Sequence, residues 1–259
     1  MKKLDIFATI HNKRYSEFVQ QNLEIKPYEA IFIELPIEIF QTGKLFSDPY
    51  YEHAKILYDF SNEKMEIYFI DNYKDCKRHM DVALDPETAN KKIQVLAQGI
   101  MYDFNGTSIF GRSKIETLVE DITKNTIKAI QINREREAKM AEIIDKNMKE
   151  KNHKDACIVL GDAHIDSLNY LLSKKYEIEG LSPKFLEDDK ERMYREQAEH
   201  EVQLSRIFTY QLTRKLIPSD IIEKFTELRK SSLITEENFI KGVLPMEEYL
   251  ESLVKILGL

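Results

Sequence analysis

Two short runs, "AIFIEL" (Ala30 to Leu35) and "ACIVLG" (Ala156 to Gly161), are apolar at nearly every position rather than at every second one. A strand with one wet face alternates apolar and polar side chains, so such runs fit strands covered on both faces. Leu4–Ile10, Met65–Ile70 and the less regular Tyr176–Glu179 extend the set, and longer stretches with helical spacing separate them. Strands that alternate with helices imply βαβ connections. The expected fold is therefore α/β, with a mostly parallel central sheet covered by helices.

"SEFVQQNLEI" reads as a helix, and so does "DPYYEHAKILYDF", where Asp48 caps and Pro49 takes the first helical position. "DPETANKKIQVLAQGI" repeats that start at Asp85–Pro86, and residues 114–150 read as one or two long helices. No strand signal follows Ser182, and helical segments there break near Pro218, Thr235 and Pro245. The expected division is an α/β domain over residues 1–182 and an all-helical extension over 183–259. The extension would pack on the core or serve self-association into a homo-oligomer.

Composition narrows the function classes. A hydrophobic share of 42% supports a sizeable core, and a net charge of −7 argues against nucleic acid as a partner. Cys76 and Cys157 are the only cysteines, too few for a disulfide framework or a zinc knuckle. No apolar stretch approaches the roughly 20 residues of a membrane span, and the run in "MKKLDIFATIHNK" is too short for a secretory signal. A cytoplasmic protein with no membrane partner is expected.

Ligands of open α/β sheets bind beyond the carboxyl ends of the strands. Four apolar runs release polar groups there: His11, Glu34, Asp71 and the Gly161–His164 turn. Glu34 sits inside an apolar run and needs a partner or a metal, because a buried unpaired charge is costly. Asp71 serves either the site or a turn. Asp162 is expected to cap the helix that begins near Ile165, and Gly161 to let the backbone turn tightly and bring His164 over the edge opposite His11. His53, His79, His153 and His200 lie in charged surroundings and read as surface residues.

On these residues the chain resembles the TraB/PrgY and Tiki-type hydrolase-like family. "FATIHNKRYSEFVQQNLEIKPYEAIFIELP" is similar to that family's opening, with its strand-end histidine, "KP" connection and strand ending in Glu-Leu. "EREAKMAEII" and "CIVLGDAH" resemble its arginine helix and its Gly-x-x-His strand end, and "IYFIDNYKDCKRH" its Ile-Asp segment. The likeness covers about residues 3–180. Ala8 stands where the family has Gly, and Glu137 where Asn or Asp is common. The family's membrane segments and secretory signal are missing from the expected organisation.

The resemblance implies a metal-dependent hydrolase of peptide or amide bonds. His11, Glu34 and His164 would bind a divalent ion, with Mn, Co, Zn or Fe all suited to mixed N/O ligation. Arg136 would hold a substrate carboxylate or developing oxyanion, or else pair with Glu34 or Asp71. Asp71 would orient a histidine or shuttle a proton. Distantly similar erythromycin-esterase-type proteins (with ChaN-like folds) imply an alternative in which a histidine acts as general base without metal. The pheromone-shutdown side of the family implies another, in which the pocket sequesters a peptide or small molecule unchanged. A third places function in a partner-binding tail, 183–259.

Overall fold

The computed structural model describes residues 2–42, 48–62, 64–105 and 111–216. Five strands, β1 (Lys2–Thr9), β2 (Ala30–Ile33), β3 (Glu66–Phe69), β4 (Asp155–Gly161) and β5 (Tyr176–Leu181), form one sheet in the order β3-β2-β4-β1-β5. Every pairing is parallel. The helices are α1 (Lys13–Ile25), α2 (Ile37–Thr42), α3 (Asp48–Ser61), α4 (Tyr73–Ala83), α5 (Pro86–Asn105), α6 (Arg112–Glu150), α7 (Ile165–Leu172) and α8 (Leu186–Leu216). The fold is α/β with a further helical part. Residues 114–150 belong to a single helix, and the expected breaks at Pro218, Thr235 and Pro245 lie outside the described residues.

The inner strands β1, β2 and β4 are apolar on both faces because each face meets a separate core. Leu4 and Ile6, Ala30 and Phe32, and Ala156, Ile158 and Leu160 share one cluster with Met140, Ile144 and Met148 of α6 and Leu168 and Leu172 of α7. The alternate residues Phe7, Ile31, Ile33, Cys157 and Val159 join Val19 and Leu23 of α1 and Ala54 and Leu57 of α3. The period of two along each strand sends successive side chains to opposite layers. One polar residue interrupts β1: Asp5 is buried, and Lys26 Nζ (2.6 Å) and the Tyr28 hydroxyl both bond to its carboxylate.

The chain divides into two compact units, residues 1–83 with 127–190, and residues 84–126 with 191–259. The first holds the sheet. In the second, Lys91 of α5 pairs with Glu87 (2.8 Å) and with Asp121 of α6 (2.9 Å). A linear boundary at 183 does not describe this division, since residues 84–126 group with those after 190. Neither α6 nor α8 breaks where the chain passes from one unit to the other, so no turn-forming sequence marks the change.

Asp145 fixes α6 against the sheet in the first unit. Its carboxylate accepts from Lys149 (2.7 Å), from Lys175 (2.9 Å) and from the Tyr176 hydroxyl at the start of β5 (2.7 Å). Burial alone would raise this carboxyl, but the three donors outweigh it and hold it below the ordinary carboxylate range. A depressed carboxyl stabilises the fold above its unfolded pKa of about 4, and that stabilisation fades as pH falls. Asp145→Asn is expected to cost about 1–2 kcal/mol at pH 7. Denaturant unfolding at several pH values checks this: the gap to wild type should narrow below about pH 4, and a gap independent of pH would refute the ion-pair origin.

Candidate functional site

The strand order decides which polar groups meet. β2, β4 and β1 are consecutive, with Ile33 and Phe7 both opposite Val159 and Thr9 opposite Gly161. Their carboxyl ends release Glu34, the Gly161–His164 turn and His11 side by side, and β3 beside β2 releases Asp71. The Glu34 amide donates to the Val159 carbonyl (3.0 Å), carrying the ladder one residue past β2. Its side chain is thereby held at the carboxyl edge of the sheet, where it is 5% exposed.

Glu34 gathers the site around itself. Oε2 accepts from the Gly161 amide (2.6 Å) and stands 3.7 Å from His11 Nε2. Oε1 lies 3.1 Å from His164 Nε2 and 3.7 Å from Arg136 Nη2. Burial would raise this carboxyl, but His164, His11 and the Gly161 amide together bring it down to about 2. It is a buried anion.

Gly161 does not serve the turn. Its φ of −62° and ψ of 138° suit any residue. A methyl group there would instead stand 3.1 Å from His11 Nε2 and 3.3 Å from Glu34 Oε2. The glycine makes room for the imidazole and the carboxylate.

His164 ends a 3-10 turn (Asp162–His164) and begins α7. The helix takes no side-chain cap from Asp162, whose carboxylate pairs with Lys190 (2.9 Å), so the expected capping role is corrected. The His164 ring lies between two carboxylates, with Nδ1 2.9 Å from Glu137 Oε1 and Nε2 facing Glu34. Burial would lower its pKa, but the two carboxylates raise it to about 10. His11, just before the Asn12 cap of α1, is the most open member at 16% exposed. Burial lowers its pKa, with His164 adding to that and Glu34 opposing it.

Arg136 and Glu137 come from α6, where they continue the buried stripe of Met140, Ala141, Ile144 and Met148 by one turn. Where the stripe passes beyond the sheet, it changes from apolar to charged. Arg136 is 5% exposed. Its Nη2 donates to Asp71 Oδ2 (2.6 Å) and Nη1 to Asn133 Oδ1 (2.8 Å). The pair with Asp71 is one of its two expected roles. Asp71 also accepts from the Asn72 amide (2.7 Å), while the cap of α4 is Asn72, which accepts from Lys74 and Asp75. Burial raises the Asp71 carboxyl, and Arg136 offsets this only in part.

Two histidines expected at the surface are buried. His53, 1% exposed, sits edge-on to His11 with ring centres 5.4 Å apart, and burial lowers its pKa to about 3. His153 is buried at the opposite edge of the sheet between Glu29 (3.7 Å) and Glu66 (3.8 Å). Both were hidden in the sequence by charged neighbours that face outward beside them. Glu137 was missed as well, although a charged pair in phase with Met140 and Ile144 is a legible signal of a buried polar site.

Two clefts flank the centre along α6. One of ≈ 360 Å³ is lined by Asn133, Arg134, Glu137, Ala163, Ser167 and Tyr170, and one of ≈ 230 Å³ by Asp71, Asn72, Asp75, Arg136 and Lys139. The donor set of His11, Glu34 and His164 suits a divalent ion. The Glu137 carboxylate on Nδ1 of His164 also fits one, because a carboxylate there fixes the ring for ligation through Nε2. Among the described residues, no three His, Cys, Asp or Glu side chains already hold the spacing of an ion-binding set. Glu34 closes directly on His164 instead. No helix among the described residues is long and apolar enough to cross a membrane.

No protein-family model, curated protein or solved structure matches the chain.

Gly161→Ala is expected to leave the fold intact, since the torsions accept alanine, while forcing His11 away from Glu34. Circular dichroism and long-range ¹H–¹⁵N spectra of the imidazoles check both halves. Unmoved His11 resonances in a folded variant would show that the space is not needed.

Proposed function

We propose that this protein is a metal-dependent hydrolase that cleaves peptide or amide bonds at the carboxyl edge of β2, β4 and β1. The observation that carries this reading is the meeting of His11 Nε2, the Glu34 carboxylate and His164 Nε2 beside the bare Cα of Gly161. The substrate class rests on the resemblance to Tiki-type proteins.

Charge supports the ion. Glu34, Asp71 and Glu137 are three buried or nearly buried carboxylates, faced by the Arg136 guanidinium and a His164 imidazolium. Among these buried groups that leaves one negative charge, with only the exposed Arg134 beside Glu137, and exchanging the imidazolium proton for a divalent ion brings the buried sum to zero. Buried charge is tolerated when it is compensated, so the cluster favours a cation. Bound by His11, Glu34 and His164, the ion would supply a Lewis acid and a water acidified toward neutral pH.

The remaining groups act through position. Glu137 holds the Nδ1 proton of His164 and leaves Nε2 for ligation. Arg136, anchored by Asp71, stands 3.7 Å from Glu34 Oε1 and places a fixed positive charge beside it. Held in this way, it is a positioning residue rather than a clamp for a substrate carboxylate. The ≈ 360 Å³ cleft beside Glu137 and Ala163 offers a place for substrate next to the centre.

A second reading keeps the residues without the ion. In its favour, His11 is held neutral by burial and stands beside Glu34, as a general base for water should. Chelation separates the two. Hydrolysis of a peptide library should disappear after exhaustive chelation and return with Mn, Co, Zn or Fe. His164→Ala should retain the native circular dichroism, lose bound metal and lose roughly 10²–10⁴-fold in rate. Hydrolysis that survives chelation would sink the metal reading in favour of the general base.

A further inference from the structure

His53 of α3 is fixed in one tautomer. Its Nδ1 lies 3.1 Å from the Asn12 carbonyl oxygen and 2.6 Å from Ser16 Oγ. A carbonyl oxygen only accepts, so Nδ1 carries a proton. The Ser16 hydroxyl can then accept from Nδ1 and turn its own proton to the Asn12 carbonyl (3.3 Å) or the His53 carbonyl (3.4 Å).

With Nδ1 protonated, the state of Nε2 follows. A second proton would leave a charged ring buried with nothing to receive its Nε2–H, which is prohibitive. Nε2 therefore presents a bare lone pair. It is buried, and it has no hydrogen-bond partner among the described residues. Buried polar atoms are nearly always satisfied, so an orphan of this kind points to something that fills it.

The surroundings say what that is. The His53 ring meets His11 edge-on, with centres 5.4 Å apart and planes at 69°. Two imidazoles bound through nitrogen about 2 Å from one ion bring their ring centres to roughly 5–6 Å. An Nδ1–H held by a backbone carbonyl, with Nε2 left open, is how ligating histidines are commonly oriented.

We propose that His53 is a third imidazole ligand, joining His11, Glu34 and His164 around the same ion. This rests on the metal reading above and extends it. Four protein donors would fill a tetrahedral ion and leave no place for water, so a working centre takes an ion that accepts five or six donors.

The probe is Co²⁺ alone, titrated into metal-free wild type, His53→Asn, His53→Gln and Ser16→Ala. Asparagine keeps a side-chain N–H for the Asn12 carbonyl and removes Nε2. His53→Asn should keep the native circular dichroism, weaken Co²⁺ at least about 100-fold, beyond the 10–100-fold usual for outer partners, and change the visible spectrum. Ser16→Ala should stay within about threefold of wild type, because Nε2 remains. X-ray absorption of Co²⁺-loaded wild type, which needs no variant to fold, should count three imidazoles. Two imidazoles, or a His53→Asn variant with the wild-type affinity and spectrum, would overturn the assignment and leave the hydrolase centre standing. No Co²⁺ binding by wild type would overturn both together.

Discussion

The negative charge of Glu34, carried to the end of an interior strand and kept from water, is the constraint on which the rest of the site depends. An uncompensated carboxylate at that depth would destabilise the fold by several kcal/mol. Its compensation comes from distant parts of the chain: the Gly161 amide, the His164 ring, the His11 ring and the Arg136 guanidinium. Each of these needs its own support. Glu137 holds His164, Asp71 and Asn133 hold Arg136, and the missing side chain at Gly161 leaves space for His11. The buried charge thus organises a second layer of residues around itself.

The sheet makes this convergence possible. β4 enters between β1 and β2, so residues about 130 positions apart in sequence become neighbours at one edge. α6 then contributes from the side. Its apolar stripe seats it on the sheet through Met140, Ile144 and Met148, and Asp145 ties it to β5. The next turn toward the N-terminus, one step beyond the strands, carries Arg136 and Glu137. The packing that stabilises the helix also sets the height of its charged pair.

Much of this could be read from the residues in order. Strands apolar on both faces identified themselves, and Glu34 was conspicuous as a carboxylate among Ile and Leu. His11 and His164 were exposed as candidates by their places at strand ends. Other features were hidden for physical reasons. Glu137 lies in a helix dense with charge, where only the phase against Met140 separates buried from solvated side chains, and Arg136 in the same helix was picked out by the resemblance alone. His53 is buried through tertiary contacts with α1 that its own helix does not encode. Gly161 was noticed for the wrong property, since a glycine needed for space and one needed for a turn look alike in a sequence. The grouping of residues 84–126 with those after 190 was illegible because α6 runs through the change without a break.

On the function proposed above, His11, Glu34 and His164 form one ion-binding catalytic centre rather than a hydrogen-bonded structural knot. Anomalous diffraction from crystals equilibrated with Mn²⁺ tests it most directly. One strong peak bonded to His11 Nε2, Glu34 and His164 Nε2 is expected, with the direct Glu34–His164 bond opened. Well-ordered side chains with that bond intact and no peak between them, at saturating Mn²⁺, would contradict it.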